Sequence, residues 1–388
     1  MPELLALEGK VTYIPRILDI RSKLENKSYF LFGPRQTGKS TLVRHELAGA
    51  RVYDLLDSEV FLALSRRPAL LREELTEKDQ LVVIDEIQKL PALLDEVHKL
   101  IEERGVRFLL TGSSARKLRH GGVNLLGGRA RTLTLHPFVS RELDDFDLLR
   151  ALNHGLLPPV YLSDDPEADI KAYAGTYLRE EVAAEGLTRN VPAFSRFLEV
   201  AALCNGTMLN HTKISNDAQV ARSTVQEYFR ILEDTLVAHT LPAWRESRKR
   251  KPIVTSKFYF FDTGVVRHLR NQSIIRKRSP AFGEAFETWL HQELRTRVDY
   301  RGQGALAYWR SSSNFEVDFI LNGETAVEAK AKEVISPIDL KGLRALREEG
   351  AMRHYLIACL VPRPRIVDGI EILPWRTFVD RLWNGTYD

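Results

Sequence analysis

Residues 33–40 read GPRQTGKS, a G-x-x-x-x-G-K-[ST] loop with Gly33, Gly38, Lys39 and Ser40 in its four fixed places. No other stretch constrains the fold as strongly. The apolar run SYFLF (28–32) precedes it like a buried strand, and Ser40-Thr41-Leu42-Val43 opens a helical pattern behind it. A strand–loop–helix frame is the context such a loop requires. Its glycines let backbone N–H groups turn inward on phosphates, and the helix N-terminus adds partial positive charge. Gly33, Pro34, Arg35, Gln36, Thr37, Gly38, Lys39, Ser40 and Thr41 are therefore expected to cradle a nucleotide. Lys39 would reach the β- and γ-phosphates, and the Ser40 hydroxyl would ligate Mg²⁺.

About forty-five residues on, QLVVIDEIQKL (80–90) is an apolar strand ending in Asp85-Glu86. A buried strand delivers its last residues to the mouth of a parallel sheet, where ligands bind. Asp85 is expected to hold the magnesium through its water shell, and Glu86 to polarise the attacking water. One βα succession is expected between the loop and this strand. A further strand in VRFLLTGSSARKL (106–118) ends in polar residues. There Ser113 either bonds the γ-phosphate or attacking water, or shares with Ser114 the role of helix N-cap. Arg129 follows two glycines in LLGGRARTLTLHPF (125–138). It is either an arginine finger, in cis or across a subunit interface, or a partner of a surface carboxylate.

These residues carry a resemblance. GPRQTGKS, LVVIDE, LTGSS and LLGGR…LHPF resemble the AAA-type ATPases of bacteria and archaea that carry a C-terminal extension of unassigned role. The resemblance spans essentially the whole chain. It implies ATP as the nucleotide and assembly into a ring or similar homo-oligomer.

With 388 residues the chain is long for one core, which suggests two or three domains. Two cysteines, Cys204 and Cys359, lie far apart and form neither a disulfide framework nor a C-x-x-C pattern, as expected of a reducing cytosol. MPELLALEGK is too short and acidic for a signal peptide, and no apolar run approaches membrane-spanning length, so a cytoplasmic location without membrane contact is expected. Net charge is only +4, but WRESRKRKPIVTSK (244–257) and RHLRNQSIIRKRS (267–279) concentrate Arg and Lys. Such a patch suits a polyanion; a solvated charged face is the alternative.

FVSRELDDFDLLRALNH and DIKAYAGTYLREEVAAEGL, in the 140–200 region, have helical spacing around a Pro-rich break at 155–168, and are expected to form a small lid or bridging element over the nucleotide. LNHTKISNDAQVARSTVQEYFRILEDTLV (209–237) has a helix–turn–helix rhythm. Ser223 and Gln226 read as a capping box, and Val225, Phe229, Leu232 and Leu236 as the buried face. AHTLPAW and KFYFFDTG alternate like two strands of a wing, with the basic run between them. That arrangement docks on duplex DNA, although the same fold also serves as a packing module.

The last third reads as helix 283–298, strands 305–311, 315–321 and 325–331 with an Asn322-Gly323 turn, a helix begun by Ser336-Pro337, and strand 354–361. Period-2 alternation puts Glu328 and Lys330 on one strand face and brings Asp318 of the neighbouring strand toward them. Buried carboxylates require compensation, which a divalent cation held by Asp318, Glu328 and the Ala329 carbonyl would supply. Lys330 would then position or deprotonate a bound water. A salt bridge from Lys330 to Glu328 or Asp318 in a non-catalytic domain is the alternative.

This αβββαβ order and its acids resemble the PD-(D/E)XK nuclease superfamily, in particular the small archaeal Holliday-junction resolvases. Asp318 matches the first motif acid, Glu328 and Lys330 the E-x-K, and Glu287 the acid of the first helix. Val317 stands where the motif's name has Pro. The hard oxygen ligands suit Mg²⁺ or Mn²⁺, the expected partner is duplex or branched DNA, and the resemblance to resolvases is what points to a branched substrate. The expected whole is an α/β multidomain chain: an AAA-type ATPase core (1–140), a helical lid (141–200), a winged helix–turn–helix (201–275) and a nuclease-like domain (276–388). Its expected function is ATP turnover coupled to DNA processing. The alternative is an ATP-dependent switch whose degenerate nuclease fold binds a protein partner.

Overall fold

The computed structural model describes residues 13–113, 116, 118, 126–178 and 190–388. Ser114 and the stretch 179–187 of the second lid helix lie outside the described residues.

The first sheet is built by β1 (Ser28–Phe32), β2 (Arg51–Asp54), β3 (Leu81–Asp85), β4 (Arg107–Gly112) and β5 (Ala130–Thr134). All are parallel, in the order β2-β3-β4-β1-β5. Parallel strands are covered on both faces, which is why β1 reads as a continuous apolar run; all five of its residues are buried. After β1 the chain crosses to the far edge of the sheet. Its carboxyl end therefore opens into a crevice at a switch in strand order, followed by helix α1 (Lys39–Glu46). Helix α2 (Leu93–Arg104) closes on Gly105, at φ 65°.

The βα succession between the loop and β3 is single, as expected, but its helical part is split in two. Edge strand β2 and two helices, Ser58–Arg66 and Leu70–Glu74, intervene. Strand β2 escapes a hydrophobicity reading because only Tyr53 of its four residues is buried. The helix expected over 138–154 is also broken, into a 3₁₀ turn Ser140–Glu142 and helix α3 (Leu148–His154). Asp147 accepts from the Leu149 and Arg150 N–H groups and so starts a new helix. The Pro-rich break is partly helical, because Pro158 and Pro166 occupy first-turn positions of short helices.

Next come helix α4 (Val191–Leu203), β6 (Thr207–Met208), helices α5 (His211–Ala218) and α6 (Arg222–Asp234), β7 (Ala238–Leu241) and β8 (Lys257–Phe260). The strands form an antiparallel sheet in the order β6-β8-β7. Helix α6 starts without the expected capping box: Ala221 precedes it, and Ser223 lies inside its exposed first turn. Its buried face holds Val225, Tyr228, Phe229, Ile231 and Leu232, whereas Leu236 lies beyond the helix at φ 60°.

Helix α7 (Pro280–Arg301) leads into β9 (Leu306–Arg310), β10 (Glu316–Leu321), β11 (Thr325–Lys330), a capped 3₁₀ turn at Pro337, helix α8 (Lys341–Arg347) and β12 (His354–Cys359). The αβββαβ order is present, and β13 (Arg365–Val367), β14 (Ile370–Pro374) and helix α9 (Trp375–Trp383) extend it. The six strands run β13-β14-β12-β11-β10-β9. Asn322 and Gly323 turn the β10–β11 hairpin with positive φ, giving the register Phe319↔Val327 and placing Asp318 beside Glu328.

Phe138, Leu143, Phe146 and Leu152 pack in one core with Phe286, Trp289 and Phe378. The stretch after β5 is thereby welded to the C-terminal sheet. Among the described residues no helix is long and apolar enough to cross a membrane.

Candidate nucleotide site and C-terminal carboxylate cluster

The loop after β1 is held tightly from both sides. A Cβ at Gly33 would come within 2.4 Å of the Leu135 carbonyl oxygen, so only glycine allows β1 and the segment after β5 to approach this closely. Gly38 precedes α1 at φ 94°. The Thr37 hydroxyl donates to the Pro34 carbonyl at 2.9 Å, and Lys39 Nζ donates to the Gly33 and Pro34 carbonyls at 2.7 and 3.1 Å. Sequence reasoning did not single out Arg16. Its buried guanidinium donates to the Thr37 carbonyl at 2.7 Å and pairs with Glu142 at 3.0 Å. Only tertiary contact reveals it. The Arg35 guanidinium stacks 5.2 Å from the Tyr177 ring, joining the loop to the middle helices.

Strand β3 brings Asp85 to this loop. The Ser40 hydroxyl donates to Asp85 Oδ2 at 2.8 Å, and the Thr111 hydroxyl donates to Asp85 Oδ1. Glu86 leaves the strand at φ 60°. Burial, with Asp85 beside it, holds its carboxyl above the usual range, while Lys39 and Gln88 pull it back. Gln88 Nε2 donates to both Glu86 Oε2 and Ser113 Oγ, the latter at 3.3 Å. A Cβ on Gly112 would meet Gln88 Oε1 at 2.2 Å, so that glycine makes room for the bridge. Ser113 thus contacts the group that holds Glu86. Gln88 also escaped sequence reasoning; the D-E-x-Q spacing was its one signal.

A cavity of about 730 Å³ adjoins the loop, lined among others by Ile14, Gln36, Gly38, Thr41, His45 and Leu162. Tyr13 stacks on His45 with ring centroids 4.0 Å apart. Arg129 lies elsewhere. It precedes β5, whose first residue pairs with Ser28 at the start of β1, so it sits at the end of the sheet opposite Gly33–Ser40. Its Nε pairs with Glu102 on the surface. A finger acting in cis is incompatible with that position.

The basic run between β7 and β8 is not a free wing. Its backbone lies along β9: Trp244 N donates to the Tyr308 carbonyl at 2.7 Å and Ile253 N to the Arg310 carbonyl at 2.8 Å. Arg248 N and Lys249 N both donate to Glu349 Oε2 at 2.7 Å, and Arg250 pairs with Glu348 at 2.5 Å. The side chains of Arg245, Arg248, Lys249 and Lys251 remain exposed.

Strands β10 and β11 bring the predicted acids together. Lys330 Nζ lies 2.5 Å from Glu328 Oε1 and 3.9 Å from Asp318 Oδ2. The Ala329 N–H, not its carbonyl, meets Asp318, donating to Oδ2 at 2.9 Å. Glu287 on α7 accepts from the Tyr259 hydroxyl at 2.6 Å. Burial and the neighbouring Asp318 push Glu287 up to about 7 and Glu328 to about 8. Glu316 and Lys257 belong to the same cluster, and neither was foreseen. Among the described residues, no group of three or more His, Cys, Asp or Glu side chains is arranged to hold a metal ion. As they stand, the acids do not fit the expected Mg²⁺ or Mn²⁺.

Residues 25–144 match the family model described as AAA domain. The first domain is an AAA-type P-loop ATPase. Residues 145–274 and 282–378 match two domains of unknown function, DUF8612 and DUF4143. No curated protein matches the chain. Among solved structures, a Walker-type ATPase of Pyrococcus abyssi is 16% identical, with a TM-score of 0.45 over 66% of this chain and 96% of that one. A replication initiator DnaA bound to AMPPCP and single-stranded DNA is 13% identical, with a TM-score of 0.28 over 54% of this chain and 82% of that one. Domain III of the Thermotoga maritima replication initiation protein DnaA is likewise 13% identical, with a TM-score of 0.22 over 54% and 85%.

Proposed function

We propose that the chain hydrolyses ATP and uses nucleotide state to control its contact with DNA. The observation that carries this reading is the convergence of Lys39, Ser40, Asp85 and Glu86 at one end of the first sheet, beside an open cavity. The loop N–H groups and Lys39 would bind the phosphates, and the cavity at Ile14, His45 and Leu162 would take the adenine. Ser40 Oγ and Asp85 Oδ2 are hard oxygen donors 2.8 Å apart, a donor set that fits Mg²⁺. The ion would neutralise charge on the β- and γ-phosphates. Glu86 would orient and deprotonate the attacking water, and Gln88 would hold Glu86 for that task. Arg129 would act on the nucleotide of an adjoining copy, which requires a homo-oligomer.

The DNA-contacting element would be the helix–turn–helix of α5 and α6, a winged helix in its order of helices and strands. Arg222, Ser223, Gln226 and Arg230 of α6 are exposed, and the side chains of the docked basic loop add cations. Lys257 and Lys330 engage the carboxylates of Asp318 and Glu328. That engagement favours a second reading, in which the C-terminal module is a degenerate nuclease fold and a regulatory docking unit.

Titrating linear, forked and four-way DNA with and without ATP and Mg²⁺ tests the proposal. ATP turnover with nucleotide-dependent DNA affinity supports it. Turnover without any DNA binding transfers the case to the regulatory reading.

A further inference from the structure

We propose that Lys257 is the resident cation of the C-terminal carboxylate cluster, and that a divalent metal ion is excluded from the cluster while β8 stays docked against α7 and β10. This rests on the reading of Glu287, Asp318 and Glu328 as a nuclease-like acidic site. Lys257 belongs to the middle sheet, not to the C-terminal one, yet its side chain is only 4% exposed. Nζ lies 2.6 Å from Glu316 Oε1, 3.5 Å from Glu287 Oε1 and 3.9 Å from Asp318 Oδ1. The Tyr308 ring lies 5.3 Å away on another side. Two residues along the same strand, Tyr259 donates to Glu287 and stacks on His291 at 4.1 Å. Side chains two apart share a strand face, so one face of β8 reads into the cluster.

Four carboxylates (Glu287, Glu316, Asp318 and Glu328) meet two ammonium groups, Lys257 and Lys330. Asp318 and Glu328 are buried and Glu287 and Glu316 half-buried, and such a concentration of acid requires positive charge at its centre. A divalent ion would sit about 2.0–2.6 Å from the oxygens it binds. Lys257 already occupies the space among three of these acids, and its charge would repel the ion at a few ångströms. Glu328 Oε2, buried and without a hydrogen-bond partner, is an acceptor that neither lysine satisfies. The Lys251–Ile253 backbone bonds to β9 and its turn hold the approach to β8 in place.

Mn²⁺ uptake by the nucleotide-free full chain, followed by the EPR signal of free Mn²⁺, tests the assignment, with Asp318→Asn as the marker for the site. Wild type is expected to show no Asp318-dependent uptake. Lys257→Met is expected to gain one Asp318-dependent site, about tenfold or more tighter, and to melt at a higher temperature when Mn²⁺ is added. Lys257→Arg, which keeps the charge, should exclude the ion as wild type does. Equal Asp318-dependent uptake by wild type and Lys257→Met would overturn the proposal, as would a folded Lys257→Met that gains no site. If Lys257→Met does not fold, the wild-type titration decides: Asp318-dependent Mn²⁺ uptake overturns the proposal and its absence upholds it. Because metal uptake is the readout, failure of the DNA reading leaves this result untouched, and the reverse holds too.

Discussion

Arg116 Nη1 lies 2.6 Å from Asp234 Oδ2, and its Nη2 lies 2.5 Å from Glu227 Oε1. Arg116 comes three residues after Ser113, which touches Gln88 and through it Glu86; Asp234 and Glu227 belong to α6. If Glu86 orients the attacking water as proposed, these contacts would couple that step to α6. Arg116→Ala should make DNA affinity the same with and without ATP, whereas the wild type should respond to ATP. Its stability cost should be about 1–3 kcal/mol, because both acids are partly solvated once freed. A DNA titration that keeps its nucleotide response in Arg116→Ala rules out this link.

Glu86 and Gln88 should separate binding from turnover. Lys39→Ala should abolish nucleotide binding. Glu86→Gln should retain ATP while kcat falls by roughly 10²–10⁴-fold, the usual worth of a positioned base. Gln88→Leu should lower kcat by about tenfold with unchanged ATP affinity, since it releases Glu86 and Ser113 without removing a phosphate-binding group. Nucleotide titration and steady-state kinetics on the three variants check the order.

The nucleotide site was legible because local chemistry writes it. Gly33, Gly38 and Lys39 are demanded by backbone turns and close approach, and Asp85-Glu86 end a buried strand. Asp318, Glu328 and Lys330 were legible from strand alternation once the Asn322-Gly323 turn set the register. The partners that decide their state were not. Lys257 precedes Asp318 by two helices, Thr263–Leu269 and α7, and strand β9, Arg16 reaches Thr37 only through tertiary packing, and β2 and β13 are short edge strands without apolar runs. The basic run illustrates the limit most sharply. Its composition suggests a free wing, but Glu349 and the edge of β9 hold its backbone.

Arg129 lies at the end of the sheet opposite its own loop, so the proposed finger would act on the nucleotide of a neighbouring copy. Arg129→Ala should lower kcat without changing ATP affinity, and wild-type specific activity should rise with protein concentration until assembly saturates. A flat concentration profile refutes action across an interface and leaves the Glu102 ion pair as the role of Arg129.

Three exposed cations of the docked loop should meet phosphates. Reversing Arg248, Lys249 and Lys251 to Glu should weaken all DNA sequences alike and reduce the slope of log affinity against log salt by about 2.7, at about 0.9 per phosphate contact. Arg250→Glu should behave differently, because Arg250 pairs with Glu348 and donates to the Ala345 carbonyl. It should lower the melting temperature by placing like charges together. An unchanged salt slope in the triple variant moves the DNA surface away from this loop.

Glu293 gives the fold a pH dependence of known sign. The residue is fully buried on α7; its oxygens accept from Ser140 N at 2.6 Å and Trp383 Nε1 at 3.0 Å. Burial nevertheless pushes its carboxyl up to about 7 from an ordinary 4.5. The native state therefore binds this proton more tightly than the unfolded chain does. Below pH 4.5 both states are protonated, and the group costs nothing through ionisation. As pH rises from 4.5 to 7 the unfolded chain ionises first, and stability falls. Above 7 the full penalty, roughly 3 kcal/mol at 1.36 kcal/mol per unit, is present. Glu293→Gln removes the titration while keeping an acceptor for Ser140. Between pH 5 and pH 8 the variant should lose less stability than wild type by most of that amount, because every other titrating group is common to both proteins and cancels in the comparison. Urea unfolding at the two pH values measures the difference. Parallel losses in the two proteins would mean that Glu293 stays ionised in the fold at pH 5.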